Sequence, residues 1–176
     1  MSTLRILGGN AKGQRLQTAG REVRPSPSRL RKALFDILAF ESRGMFLDLY
    51  SGTGAVGLEA ASRGWNSTCV ESNPTAMRAL KSNAKRLSLE VSVIQGDALA
   101  FTRELAHPFD VTFADPPYDS DLQAIFATLL EQVSEDRPGI LIFQHPSSLV
   151  LPNPSPTLGR GAETRRYGSN SLTLVR

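Results

Sequence analysis

Asp115-Pro116-Pro117-Tyr118 is the stretch of this chain best equipped for chemistry. It follows an apolar run, Phe109 to Ala114 with Asp110 inside it, that reads as a buried strand. Two adjacent prolines have no N–H to give a strand ladder, so the strand must stop at Asp115 and the chain must turn stiffly. A carboxylate and an aromatic ring are then fixed at a strand's carboxyl end, where open α/β sheets hold their ligands. Such a turn suits an exocyclic amine, whose lone pair is delocalised into its ring. Asp115 and the Pro116 carbonyl could each accept one of its N–H groups and localise that lone pair. Tyr118 offers a flat face on which an extracted base could stack.

A second group of residues surrounds Ser51-Gly52-Thr53-Gly54-Ala55-Val56-Gly57, a G-x-G-x-x-G placed between an expected strand and an expected helix. Glu71 ends the next expected strand, at a distance suited to ribose hydroxyls. A dinucleotide site would show the same features. Asp48, four residues before Gly52, separates the two readings. It points towards the ligand mouth or the layer beneath it, where a pyrophosphate would be repelled and a sulfonium or ammonium favoured. The structural alternative is a buried Asp satisfied by backbone N–H groups. Asp97, in Gln95-Gly96-Asp97-Ala98, is a good N-cap for the helix that follows.

The Asp-Pro-Pro-Tyr tetrapeptide resembles a signature of adenosylmethionine-dependent amino-methyltransferases. That resemblance implies S-adenosylmethionine as cofactor, held by Asp48, Ser51, Gly52, Thr53, Gly54, Glu71, Asp97 and Ala98. Asp97 would bond the adenine amino group. Asp115, Pro116, Pro117 and Tyr118 would form the catalytic turn. Methyl transfer is an in-line displacement that needs positioning and electrostatics and no metal.

The elements that must position these residues alternate. Strands are expected over Met45–Tyr50, Ser67–Glu71, Val91–Gln95, Phe109–Ala114 and Ile140–Gln144. Helices are expected over Leu58–Arg63 with Gly64 as cap, from Pro74 to about Leu87, over Ala98–Leu105 and over Leu122–Val133. Thr164–Tyr167 and Ser171–Val175 read as a closing antiparallel hairpin. The expected fold is α/β: a Rossmann-like, mostly parallel seven-stranded sheet with helices on both faces, as in class I methyltransferases. Before it, Leu4–Gly9 and Gln14–Thr18 read as a basic β-hairpin. Arg21–Pro27 reads as a loop. Ser28 is an expected N-cap for an amphipathic helix over Arg29–Phe40.

The 176 residues suggest one core. No apolar run is long enough to span a bilayer, and no signal-like segment opens the chain, so a cytoplasmic setting is expected. Cys69 is the only cysteine, which excludes disulfides and fits a small buried hydrophobe. His107 and His145 each adjoin a proline and read as structural. The first 32 residues carry eight basic side chains and one acidic, whereas the remainder carries twelve basic and sixteen acidic. A basic arm on a mildly acidic body points to an anionic polymer. Arg29, Arg31 and Lys32 oppose the helix dipole at the start of their helix, which favours a phosphate-binding role.

Arg5-Ile6-Leu7-Gly8-Gly9, Lys12-Gly13-Gln14-Arg15-Leu16 and the run from Arg24-Pro25 to Ile37-Leu38 resemble the opening of the RsmD family. The Asp48–Gly64 segment and Arg166-Tyr167-Gly168 resemble the same family. That resemblance implies transfer of a methyl group to the N2 amino group of a guanine in bacterial 16S rRNA, position 966. Its implied partner is the small ribosomal subunit or an assembly intermediate, acted on by a monomer. Residues 1–44 would be the RNA-contacting arm and 45–176 the methyltransferase domain, with Arg5, Arg15, Arg24 and Arg29 on phosphates. Ser28 and Lys32 depart from the family's usual Asp and Glu, and both departures make the arm more basic. Two alternatives stay open: a DNA adenine or cytosine amino-methyltransferase, and a non-catalytic RNA-binding assembly factor.

Overall fold

The computed structural model of the chain describes residues 4–18, 27–105, 109–131, 139–154 and 161–176. In chain order its elements are α1 (Ser28–Ile37), β1 (Met45–Leu49), α2 (Gly57–Ser62), β2 (Asn66–Glu71), α3 (Pro74–Leu87) and β3 (Val91–Gln95). There follow α4 (Ala98–Arg103), β4 (Val111–Ala114), α5 (Leu122–Leu130), β5 (Ile140–Pro146), β6 (Ala162–Tyr167) and β7 (Asn170–Val175). The seven strands form one sheet in the order β3-β2-β1-β4-β5-β7-β6. β1 to β5 run parallel, and β7 is antiparallel to both β5 and β6.

The expected α/β sheet is thus present, and its central strands are buried on both faces, which explains their nearly continuous apolar runs. Along β1 the faces alternate. Leu47 and Leu49 pack with Phe126, Leu129 and Phe143, whereas Phe46 packs with Leu34 and Phe35 of α1 and with Leu38 just beyond it. No described helix is long and apolar enough to cross a membrane.

Several boundaries differ from expectation for local reasons. Ser28 is the first residue of α1, not its cap; Pro27 holds the cap position without a side-chain bond. The helix stops at Ile37, and Phe40 beyond it is 98% exposed. β4 begins at Val111, although Asp110 before it still bonds both neighbouring strands: its N–H donates to Met45 O at 3.0 Å, its C=O accepts the Ile140 N–H at 2.9 Å, and its carboxylate accepts the Met45 N–H at 2.6 Å. α4 ends at Arg103 and α5 at Leu130. β5 runs on to Pro146 because β7 pairs with it as far as Asn170. Residues 132–133 and His107 lie outside the described residues.

The N-terminal hairpin closes through one antiparallel bridge, Arg5 opposite Arg15, flanked by Ile6 N–H to Gln14 O at 3.0 Å and Leu16 N–H to Leu4 O at 2.9 Å. Its apolar side, Leu4, Ile6, Ala11 and Leu16, packs on Ala55, Leu58 and Ala84. Arg31 corrects an expectation. Its side chain is fully buried, 3.7 Å from the equally buried Glu59, so it is not available to phosphate. Lys32 pairs with Asp36 at 2.7 Å.

His145 is buried in β5 and lies in a closed network. Its Nδ1–H donates to Pro146 O at 2.9 Å, and Nε2 accepts from Thr173 Oγ1 at 2.8 Å. Burial holds its pKa below the ordinary value of 6.5. Protonation therefore favours the unfolded chain: this contribution is complete above the unfolded pKa and is lost as pH falls below it. Between pH 8 and pH 5 the melting temperature of the wild type should fall further than that of His145→Gln. Parallel curves would contradict this.

Candidate active site at the carboxyl end of the parallel strands

β1 ends at Leu49, and the chain breaks direction at Tyr50, whose φ of 61° is unusual for an aromatic residue. Ser51 fixes the turn twice. Its N–H donates to Val70 O at 3.0 Å, and its hydroxyl donates to Asp48 O at 2.6 Å. Gly52 and Gly54 then take φ values of 56° and 87°, a region open to glycine. Gly57 is required for a different reason: a Cβ there would lie 2.2 Å from Cys69 Sγ, so α2 could not approach β2. Cys69 is buried as expected, and burial pushes its thiol pKa up.

Asp48 lies beneath this turn, 1% exposed, and accepts the Gly57 N–H at 2.8 Å. It organises the turn from below and does not line the mouth. Burial, reinforced by nearby Asp115 and Glu71, pushes its pKa up to about 8. Glu71 accepts the Gly52 N–H at 2.6 Å through Oε2 and the Asn73 N–H at 2.7 Å through Oε1. Each oxygen keeps a lone pair for a ligand hydroxyl. Asp97 caps α4 through Oδ1, which accepts the Ala100 N–H at 2.7 Å, and its carboxylate is exposed. Gly96 beside it borders open space.

The residues proposed from sequence therefore divide. Gly52, Glu71 and Asp97 face outwards at the carboxyl ends of β1, β2 and β3. The Ser51, Thr53 and Ala98 side chains are buried, so only their backbones could meet a ligand. Clustered carboxylates beneath and beside a glycine turn suit a ligand with a diol and positive charge.

β4 stands next to β1 with Ala114 opposite Leu49, so Asp115 leaves the sheet at the level where Tyr50 does. The two turns are neighbours. Pro116 is buried, Pro117 is exposed, and the Ser120 N–H closes the turn on Pro117 O at 3.1 Å. Tyr118 is half-buried against the core on the α5 side. Its hydroxyl is 2.5 Å from Asn170 Oδ1 and 3.5 Å from Gln144 Nε2.

Of the expected phosphate contacts, Arg5, Arg15 and Arg29 are exposed, and Arg24 lies outside the described residues. The hairpin turn is held at Ser62, the end of α2 remote from Gly57, by Asn10 N–H to Ser62 O at 2.8 Å and Ala11 N–H to Ser62 Oγ at 2.9 Å. Asn83 of α3 brings the following residues back. It pairs with Gln17 through both N–H and C=O and donates to Thr53 O at 3.2 Å. A cleft of about 440 Å³ lined by Trp65, Asp110, Ile140 and Arg176 lies at the opposite end of the strands, away from these turns. Sequence reasoning missed Tyr50, Asn83, Gln144 and Asn170. Only Tyr50 carried a local sign, an aromatic residue immediately before the glycine turn.

This strand order, with a glycine turn after β1, acidic residues after β2 and β3 and Asp-Pro-Pro-Tyr after β4, defines a class I methyltransferase, whose cofactor is S-adenosylmethionine. Residues 4–176 match the family described as Conserved hypothetical protein 95. The chain belongs to this family, the RsmD family of methyltransferases. Ribosomal RNA small subunit methyltransferase D of Escherichia coli strain K12 is 32% identical over 73% of this chain and 67% of its own length. A solved hypothetical protein of Thermus thermophilus is 44% identical, with a TM-score of 0.86 over 97% of each chain. An RNA methyltransferase of Salinibacter ruber, solved with S-adenosyl-L-homocysteine, shares the fold at 18% identity and a TM-score of 0.64, covering 86% of this chain and 92% of its own.

Proposed function

We propose that this methyltransferase acts on ribosomal RNA, transferring a methyl group to the N2 amino group of guanine 966 in 16S rRNA. Its working partner is then the small subunit or an assembly intermediate, met in the cytoplasm by a monomer. The observation that carries the reading is the Asp115–Tyr118 turn standing beside the Ser51–Gly54 turn at one end of the sheet. The relatives' names support the substrate class.

In this reading the bound cofactor supplies an activated methyl on a sulfonium. Gly52 and Gly54 shape the cradle that holds it, Glu71 takes the ribose hydroxyls and Asp97 the adenine amino group. Asp48 supports the cradle from beneath and favours positive charge above it. Asp115 accepts one N–H of the guanine amine, and the Pro116 carbonyl, fixed by the double proline, accepts the other. Tyr118 stacks on the extracted base. Residues 1–44 form the RNA-contacting arm of the domain 45–176, with Arg5, Arg15, Arg24 and Arg29 on phosphates.

The test is transfer of labelled methyl to unmodified small subunits, naked 16S rRNA and duplex DNA in parallel, with the modified nucleoside identified by mass. N2-methylguanosine from the ribosomal substrates alone is expected. Methyladenine or methylcytosine from DNA would overturn the substrate. RNA affinity should also fall with salt, and Arg29→Ala should lower that salt slope by about 1. An unchanged slope would remove Arg29 from the phosphate contacts.

A further inference from the structure

The catalytic turn is held from across the sheet by residues 26 and 52 positions away. Tyr118 leaves the chain just after the double proline, and its ring packs against the core with its hydroxyl pointing towards the β5–β7 pair. Asn170, the first residue of β7 and 6% exposed, presents Oδ1 to that hydroxyl at 2.5 Å. The phenol donates to this oxygen, because a side-chain carbonyl can only accept. The Asn170 amide is turned the right way by its other end, whose Nδ2 donates to Ser169 Oγ at 3.3 Å. Gln144 of β5, 3% exposed, offers Nε2 to the same hydroxyl at 3.5 Å. Asn170 itself is fixed by the ladder: it pairs with Pro146 on one side and Tyr167 on the other.

We infer that Asn170 is a positioning residue for the methyl-transfer reaction, fixing the plane of the Tyr118 ring through the phenol before substrate arrives. The inference rests on the proposed role of Tyr118 as the platform for the guanine. A ring restrained at both its packed edge and its hydroxyl presents one face in one orientation. A base stacking on it incurs no cost for ordering the ring. Without the bond the ring still reaches the site, but it rocks about its side-chain torsions. The amine then spends less time in line with the reacting methyl. Misplacement on that scale costs about 10–100-fold in rate.

Two measurements test this, one of them independent of activity. With ring-labelled tyrosine, the Tyr118 resonances, assigned through Tyr118→Phe, should form a single sharp set in the wild type. They should broaden or shift to averaged values in Asn170→Ala and stay sharp in Asn170→Asp, which keeps an acceptor for the phenol. An unchanged Tyr118 signal in a folded Asn170→Ala protein overturns the inference. In turnover on ribosomal RNA, Asn170→Ala should lower kcat by about 10–100-fold with unchanged cofactor affinity. Asn170→Asp should restore most of it. Tyr118→Phe and Asn170→Ala remove the same bond, so the double variant should be no slower than the slower single variant. Multiplying effects overturn the positioning role while guanine methylation by the wild type stands. Absence of any guanine methylation by the wild type overturns the functional reading instead, and the ring resonances decide the role of Asn170.

Discussion

Asp115→Ala lowers methyl transfer to RNA by about 10²–10⁴, the scale of losing one positioned group at the reacting atom. The reason lies in the nucleophile. A guanine amine is planar, and its lone pair serves its own ring until both N–H bonds are directed away from the methyl group. The Pro116 carbonyl can hold one N–H. In the proposed arrangement the other meets the Asp115 carboxylate at the end of β4, and alanine there leaves it without a fixed acceptor. Binding should survive, because the proposed cofactor cradle lies at the ends of β1, β2 and β3 and Tyr118 keeps its own contacts. Asp115 also raises the Asp48 pKa, so removing it eases the ionisation of Asp48 and does not disturb its bond to Gly57. The expected result is a loss in kcat with cofactor and RNA affinities within a few-fold of wild type. Asp115→Asn keeps one acceptor oxygen and should fall between the two. Single-turnover transfer combined with calorimetric titration of the cofactor separates these effects. Turnover of Asp115→Ala equal to wild type would remove catalysis from this turn altogether.

How much of this was legible in the sequence depended on how local each signal was. Pro74, Gly64 and the Pro116-Pro117 pair act on their own neighbours, and the structure places α3, the end of α2 and the end of β4 where those residues require. The glycine turn and the acidic residues after β2 and β3 were legible because each depends on a strand end and not on a distant partner. Side-chain direction was harder. Asp48 reads as a residue at the ligand mouth or in the layer beneath it, with a buried carboxylate satisfied by backbone N–H groups as the alternative, and only the path of α2 over β1 decides for the support. Asn170 reads as a turn residue because its partner is 52 positions away. Arg31 was misread through its charge. Its position among Leu30, Leu34, Phe35 and Leu38 places it on the buried face of α1, so the periodicity held the answer. Its counter-charge sits on α2 with β1 between them, which no periodicity reveals.

That counter-charge makes Glu59→Ala the substitution with the largest expected effect on stability. Glu59 is fully buried and serves three segments at once. Oε2 accepts the Leu7 N–H at 2.7 Å, Oε1 accepts Arg63 Nε–H at 2.8 Å, and Arg31 Nη1 lies 3.7 Å away. Arg31 is poorly served without it: Nη1 reaches Ala55 O at 3.4 Å, whereas Nε and Nη2 have no hydrogen-bond partner. Burial already lowers the Arg31 pKa, and Glu59 is the charge that opposes this. Removing the carboxylate strands a guanidinium in an apolar layer and leaves the Leu7 N–H unpaired. Breaking a buried pair in this way costs about 3–5 kcal/mol. A domain is stable by only about 5–15 kcal/mol. Urea unfolding should therefore show a midpoint far below wild type. Glu59→Gln, which keeps an acceptor for Leu7 but no charge, should be destabilised less. Replacing both partners, Arg31→Met with Glu59→Gln, should recover much of the loss, since no charge is then buried alone. A Glu59→Ala unfolding free energy within about 1 kcal/mol of wild type would show that α1, α2 and the hairpin are held by their apolar contacts, with the ion pair contributing little.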